Sequence, residues 1–136
     1  DFKLKKAKEF GADEIINANS DFKYNADKII VCVGEMNAIK QAFDNIDRKG
    51  TILLFAIPQE DIKLPNLDIW RNEITITSSY GAAPKDLQES LELIKNKKVN
   101  VKDFVTHRFS LEDIGKGFDL VAKPNNSLKV IIEPNK

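Results

Sequence analysis

The chain has 136 residues, 42% hydrophobic and 31% charged, which is enough for a buried core and is the composition of a folded protein. Twenty-one basic residues balance twenty-one acidic ones, so the positive footprint of a protein that grips nucleic acid is missing. The longest apolar runs, Ile29 to Val33 and Thr51 to Ile57, fall far short of a membrane span, and no charged-then-apolar leader opens the chain. Cys32 is the only cysteine, which rules out an internal disulfide and a thiolate cluster for zinc. A cytoplasmic protein with no nucleic-acid or membrane partner is expected. The chain opens with Asp1 rather than Met, and its first residues read as helix with no strand before them, so a fragment of a longer protein is expected.

From Asp1 to Phe10, Leu4, Ala7 and Phe10 recur at helical spacing, and Gly11 stands where a left-handed cap ends a helix. Ile15-Ile16-Asn17 is too short for a helix and reads as a short strand. Lys28 to Gly34 is a continuous β-branched run, the pattern of a strand buried on both faces of a parallel sheet. Ile39, Ala42, Phe43 and Ile46 then mark one helix face, which Arg48-Lys49-Gly50 is expected to close. Thr51 to Ile57 is a second buried-strand run. Ile62 to Trp70 reads as extended or loosely helical, and Glu73 to Thr77 as a more exposed edge strand. The strand, helix, strand order predicts an α/β parallel sheet.

The character changes after Tyr80. Pro84 opens a helix whose Leu87, Leu91 and Ile94 are expected to form a buried stripe, ending in lysines at 95, 97 and 98 that offset the helix dipole. Val99 to Phe109 is mostly extended. Ser110-Leu-Glu-Asp113 predicts a capping box for a helix with Ile114, Phe118 and Val121 on one face, and Gly115 and Gly117 inside it predict close packing. Leu128 to Ile132 is the last predicted strand.

Val31-Cys32-Val33-Gly34 leads from a strand into a helix, the place where ligands lie in a doubly wound fold; Gly34 there serves either a close approach or a tight turn. Cys32 reads as a small buried hydrophobe. Phe55-Ala56-Ile57-Pro58 and Ser78-Ser79-Tyr80-Gly81 both end predicted strands. If those strands are parallel neighbours, their backbone groups converge on one ridge able to hydrogen-bond a planar carboxamide; in isolation each is a strand terminus. His107 is the lone histidine and reads as structural. No glycine-rich phosphate loop, nucleophile elbow or His-Glu-x-x-His occurs.

Ala7-Lys-Glu-Phe-Gly-Ala-Asp13, Val33-Gly34, Lys49-Gly-Thr51, Val105-Thr-His-Arg-Phe109, Gly117-Phe118 and Leu128-Lys-Val-Ile131 occur in this order along nearly the whole chain. Together they resemble the C-terminal part of zinc-dependent medium-chain alcohol and polyol dehydrogenases, the sorbitol and threonine dehydrogenase branch above all. The resemblance implies an α/β fold: the C-terminal part of a doubly wound, Rossmann-like parallel sheet at residues 1–79, then a segment at 80–136 that returns to a GroES-like catalytic domain. It implies a parent that passes a hydride between a secondary alcohol or polyol and NAD or NADP with zinc assistance. The glycine-rich turn, the ribose carboxylate and the zinc ligands would precede Asp1, leaving this part inactive alone.

The resemblance places Lys3 near the adenosine ribose and Cys32, Val33 and Gly34 along the adenosine half of the cofactor. It places Phe55, Ile57, Ser78 and Tyr80 at the nicotinamide carboxamide and Lys129 at the pyrophosphate, where many members have arginine. Gly81 stands where animal sorbitol dehydrogenases carry an arginine that helps hold the polyol. The edge near Glu73 to Thr77 is expected to pair two copies of the chain. Two alternatives remain: a stand-alone non-enzymatic α/β binding or assembly module, and a zinc-free relative of the quinone reductases.

Overall fold

The computed structural model describes residues 2–20, 22–123 and 126–135; Asp1, expected to start the first helix, lies outside the described residues. In chain order the elements are α1 (Phe2–Glu9), β1 (Ala26–Val31), α2 (Met36–Asn45), β2 (Ile46–Leu54), α3 (Asn66–Asn72), β3 (Thr75–Ser78), α4 (Pro84–Lys95), β4 (Val105–Ser110), α5 (Ile114–Ala122) and β5 (Lys129–Glu133), with a 3-10 turn at Lys102–Phe104 before β4. They fold as two units, one of Asp21–Ala82 and one of Asp1–Ser20 with Ala83–Lys136. Both are α/β with parallel strands, the class that the strand and helix order predicts.

In the unit of residues 21–82, β1, β2 and β3 lie side by side in that order, all parallel. Parallel neighbours need a crossover, and α2 and α3 supply the two. The register pairs Ile29 with Ile52 and Ile52 with Ile76, and then Val31 with Leu54 and Leu54 with Ser78. Side chains alternate along a strand, so Ile29, Val31, Ile52 and Leu54 share one face. Against that face α2 sets its apolar stripe, and Val31, Ile39, Ala42 and Ile52 form the buried core, with Ile52 fully enclosed. Val31, Ile39 and Ile52 each contribute about 1.5–3 kcal/mol by this burial.

Burial on both faces of β1 was expected and does not occur. Ile30, on the opposite face, is 62% exposed, because among the described residues of this unit helix covers only the face of Ile29 and Val31. The α2 helix also ends sooner than its pattern suggested: it stops at Asn45, and Ile46 already pairs with Ala26. Between that pair and the next, Lys28 with Thr51, β2 spends four residues where β1 spends one, which makes a bulge. Lys49 takes a left-handed φ of 63° there. Gly50 is buried and is no helix cap; a Cβ on it would press on the side chain of Ile46 at 2.6 Å. Buried Asn45 accepts from the backbone N–H of Tyr24 at 2.6 Å and donates to the Gln41 carbonyl at 2.8 Å, so its polar atoms are satisfied.

The stretch Ile62 to Trp70 resolves into α3, capped by Glu73 in the left-handed conformation with φ 54°. The Glu73 carboxylate receives Arg48 at 2.7 Å and Lys49 at 3.8 Å, tying the end of α3 to the bulge in β2. β3 then runs as an edge strand of its sheet, as its alternation suggested.

In the other unit, α1 ends as predicted at Gly11, whose φ is 101°. The N–H of Gly11 bonds the Lys8 carbonyl and that of Ala12 the Ala7 carbonyl, the paired bonds of a Schellman cap. Phe10 stacks on Phe104 with ring centroids 4.3 Å apart. The expected strand at Ile15 to Asn17 does not form among the described residues: a strand exists only through a ladder, and no strand pairs with it.

β4 and β5 pair in parallel with one irregularity between Val105 and His107. Thr106 fills the gap, its hydroxyl accepting from the Leu128 N–H at 3.0 Å and donating to the Lys129 carbonyl at 3.2 Å. α5 rests on this pair through Gly117, where a Cβ would sit 3.2 Å from Ile132, 3.5 Å from Val130 and 3.6 Å from Phe109. That close packing was expected, but at Gly115 nothing lies within 4 Å. Two further expectations fail here. The capping box does not form, because Ser110 is the last residue of β4 and Asp113 becomes the N-cap without a side-chain bond. The stripe of Leu87, Leu91 and Ile94 on α4, expected to be buried, is exposed, and so are Phe118 and Val121 on α5.

Candidate functional site

The carboxyl ends of β1, β2 and β3 fall on one line because the three strands are parallel and in register, with Val31, Leu54 and Ser78 side by side. The segments just beyond them carry seven of the predicted site residues: Cys32, Val33, Gly34, Phe55, Ile57, Ser78 and Tyr80. In a parallel sheet this edge is where successive loops leave the strands and where ligands are taken up.

Two of these segments are stitched together. The Val31 carbonyl accepts from the N–H groups of Phe55 and Ala56 at 3.0 and 3.2 Å, and the Gln59 N–H donates to the Gly34 carbonyl at 3.1 Å. The approach is so close that a Cβ on Gly34 would overlap the Ile57 carbonyl oxygen and lie 3.5 Å from the Cα of Pro58. Gly34 therefore stands against a neighbouring backbone, which admits no side chain at this position. Gln59 was not anticipated, and could not have been, because it takes part through its backbone N–H alone.

Large apolar side chains at this edge face outward: Val33 is half exposed, Phe55 61%, Ile57 80% and Tyr80 96%. The backbone polar groups of Ile57 and Tyr80 make no hydrogen bond to other described residues. The edge thus offers apolar surface beside unpaired N–H and C=O groups, the combination that a planar, amide-bearing ring requires. Cys32, expected to be buried, is exposed, because it lies one residue past the end of β1 where the helical cover stops.

Lys3 and Lys129 belong to the other unit, at the start of α1 and at the first position of β5, and both are exposed. His107 is half-buried, with Nδ1 3.0 Å from the Thr106 hydroxyl and its ring stacked near Phe109, a structural setting. Among the described residues no group of three His, Cys, Asp or Glu side chains could hold a metal ion, so the donor set does not fit zinc. Recesses among the described residues include one of about 710 Å³ along the exposed α4 past Lys85, Glu89 and Leu93, and one of about 260 Å³ between α2 and α3. The first is the flank of an uncovered helix, and neither includes a residue of the carboxyl edge. No helix among the described residues is long and apolar enough to cross a membrane.

Comparison with known proteins gives a consistent picture. A sorbitol dehydrogenase of Halalkalibacterium halodurans is 32% identical over 97% of this chain, and a D-xylulose reductase of Saccharomyces cerevisiae 29% identical over 96%. The chain spans 41% of the length of each. Among solved structures, an alcohol dehydrogenase of Escherichia coli complexed with NADH superposes with a TM-score of 0.81 at 22% identity, over 96% of this chain and 41% of that one. The family model described as zinc-binding dehydrogenase matches residues 1–96, from α1 through the end of α4. A match of that extent, with relatives aligned over nearly every residue, means that the chain belongs to the zinc-binding dehydrogenase family.

Proposed function

We propose that this chain is the C-terminal part of an oxidoreductase that transfers a hydride between a secondary alcohol or polyol and NAD or NADP, and that it supplies the nicotinamide side of the cofactor site. Residues 1–79 are read as part of the cofactor domain and 80–136 as the segment returning to the catalytic domain. The observation that carries the reading is the carboxyl edge of the three-stranded sheet, where Gly34 lies against the Ile57 backbone and leaves the outer side of the ridge open. Phe55 and Ile57, with Ser78 and Tyr80, would hold the carboxamide through backbone groups, while Cys32, Val33 and Gly34 would follow the adenosine half. Lys3 would stand by the ribose and Lys129 by the pyrophosphate, as a point charge rather than the two-pronged donor that arginine provides.

A bound nicotinamide would supply the hydride acceptor. The protein's own contribution here is orientation: an apolar wall of Val33, Phe55 and Ile57 and a fixed ridge of backbone donors and acceptors. No step is assigned to zinc, which these residues do not fit. Pairing of two copies through the free edge of β3, near Glu73 to Thr77, is part of the same proposal and is supported by the position of β3 at the end of its sheet.

The test has two arms. The longer polypeptide carrying this chain is assayed for NADH binding and for oxidation of a panel of polyols and secondary alcohols, and absence of cofactor binding would sink the proposal. The 136-residue chain alone, given zinc and NAD, is expected to turn over none of them.

A further inference from the structure

The carboxyl edge holds two loops at a separation that only one residue type at position 34 permits. A Cβ there would overlap the Ile57 carbonyl oxygen and lie 3.2 Å from its carbonyl carbon. Both obstructing atoms are backbone, so no side-chain rotation relieves the clash, and the loop after β2 must move as a unit. On the far side of the contact the Gln59 N–H holds the Gly34 carbonyl at 3.1 Å, and at its root the Val31 carbonyl holds Phe55 and Ala56. Ile57 is thus fixed from both flanks while its own N–H and C=O make no bond to other described residues. The Ile57 carbonyl points at Gly34, so it is the N–H of the Ala56–Ile57 peptide, held from both sides and unspent, that is oriented for a ligand.

We infer that Gly34 is a positioning residue: by lacking a side chain it sets the orientation of the Ile57 peptide and so the fit of the nicotinamide ring, without itself contacting that ring. The inference rests on the proposed cofactor reading and adds to it a coupling between the loop after β1 and the loop after β2. A Gly34→Ala substitution pushes its methyl toward Ile57, away from the strand end along which the adenosine half would lie. The nicotinamide half should suffer more than the adenosine half.

The experiment compares wild type and Gly34→Ala in the longer polypeptide by calorimetric titration with two probes, NADH and ADP-ribose, the second lacking the nicotinamide. About a tenfold rise in the NADH Kd is expected, with a rise of no more than about threefold in the ADP-ribose Kd, since displacements near one ångström at a reacting group have effects of this order or larger. Amide hydrogen exchange at Gln59 should quicken in the variant. Equal weakening of both probes, or no change in NADH binding, overturns the inference, as does unaltered exchange at Gln59. Wild type that binds ADP-ribose and NADH equally tightly overturns it too, because the ridge then contributes nothing to the ring. Should Gly34→Ala fail to fold, Gln59→Pro removes the restraining N–H without adding bulk at position 34. It is expected to raise the NADH Kd about threefold while sparing ADP-ribose, and no selective effect is again a refutation. Failure of wild type to bind either probe would instead remove the cofactor reading on which the inference stands.

Discussion

Gly115 and Gly117 lie two residues apart in α5, and the structure assigns them opposite responses to the same change. Replacing either glycine by leucine gains about 0.8 kcal/mol of helix propensity. At Gly115 nothing lies within 4 Å of the new Cβ, so this gain stands alone. At Gly117 the Cβ would already be 3.2 Å from Ile132, 3.5 Å from Val130 and 3.6 Å from Phe109, and the rest of the leucine would have to enter that contact. Overpacking of this kind costs about 1–3 kcal/mol, which exceeds the propensity gain. Gly115→Leu should therefore raise stability by somewhat less than about 1 kcal/mol and Gly117→Leu lower it by about 0.2–2 kcal/mol. Urea denaturation followed by circular dichroism measures both, and the separation of about 2 kcal/mol is well outside the error of such curves. Equal effects at the two positions would refute the packing of α5 on β4 and β5 through Gly117.

Other consequences can be checked in the same way. Ile52→Ala removes a fully enclosed large side chain and should cost about 2–5 kcal/mol, whereas Ile30→Ala on the uncovered face should change stability by less than about 0.5 kcal/mol. Lys49→Gly relieves a left-handed φ that disfavours side chains by about 1–2 kcal/mol and loses only an exposed contact of 3.8 Å, so thermal unfolding should shift upward. Thr106→Val removes the hydroxyl that joins the Leu128 N–H and the Lys129 carbonyl, and about 1–2 kcal/mol of stability should go with it in chemical denaturation. Lys129→Ala in the longer polypeptide should weaken NADH binding severalfold; an unchanged Kd would withdraw the pyrophosphate assignment.

What could be read from the sequence follows the physics of each signal. The α/β order, the cap at Gly11 and the edge position of β3 were legible because each rests on local chemistry: apolar period, glycine in a left-handed turn, alternation. The carboxyl-edge residues were nameable only through the resemblance, since a site made of backbone groups leaves no side-chain motif. The misreadings share one cause. Burial of β1 on both faces and of the α4 stripe at Leu87, Leu91 and Ile94 was inferred from apolar pattern, which records what a surface is suited to bury and not what covers it here. Gly50 misled differently: glycine after a helical run suggests a cap, yet it is a packing requirement beside Ile46 that demands it.

The same apolar surfaces bear on the choice between part of an enzyme and a stand-alone module. The chain, at 15.4 kDa, exposes 11128 Å². Two separate globules of half that mass would together expose roughly 8,700 Å², so roughly 2,400 Å² is in excess even of a fully divided protein. The excess is larger than a standard protein interface, and the exposed apolar side chains include Ile30 and Phe55 at the open sheet and Leu87 and Leu91 of α4. A binding module working alone would carry these patches into water as aggregation sites. A segment matching 41% of the length of its relatives would instead bury them against the remainder of the fold, which is why the apolar pattern and the proposed place of the chain in a dehydrogenase support each other.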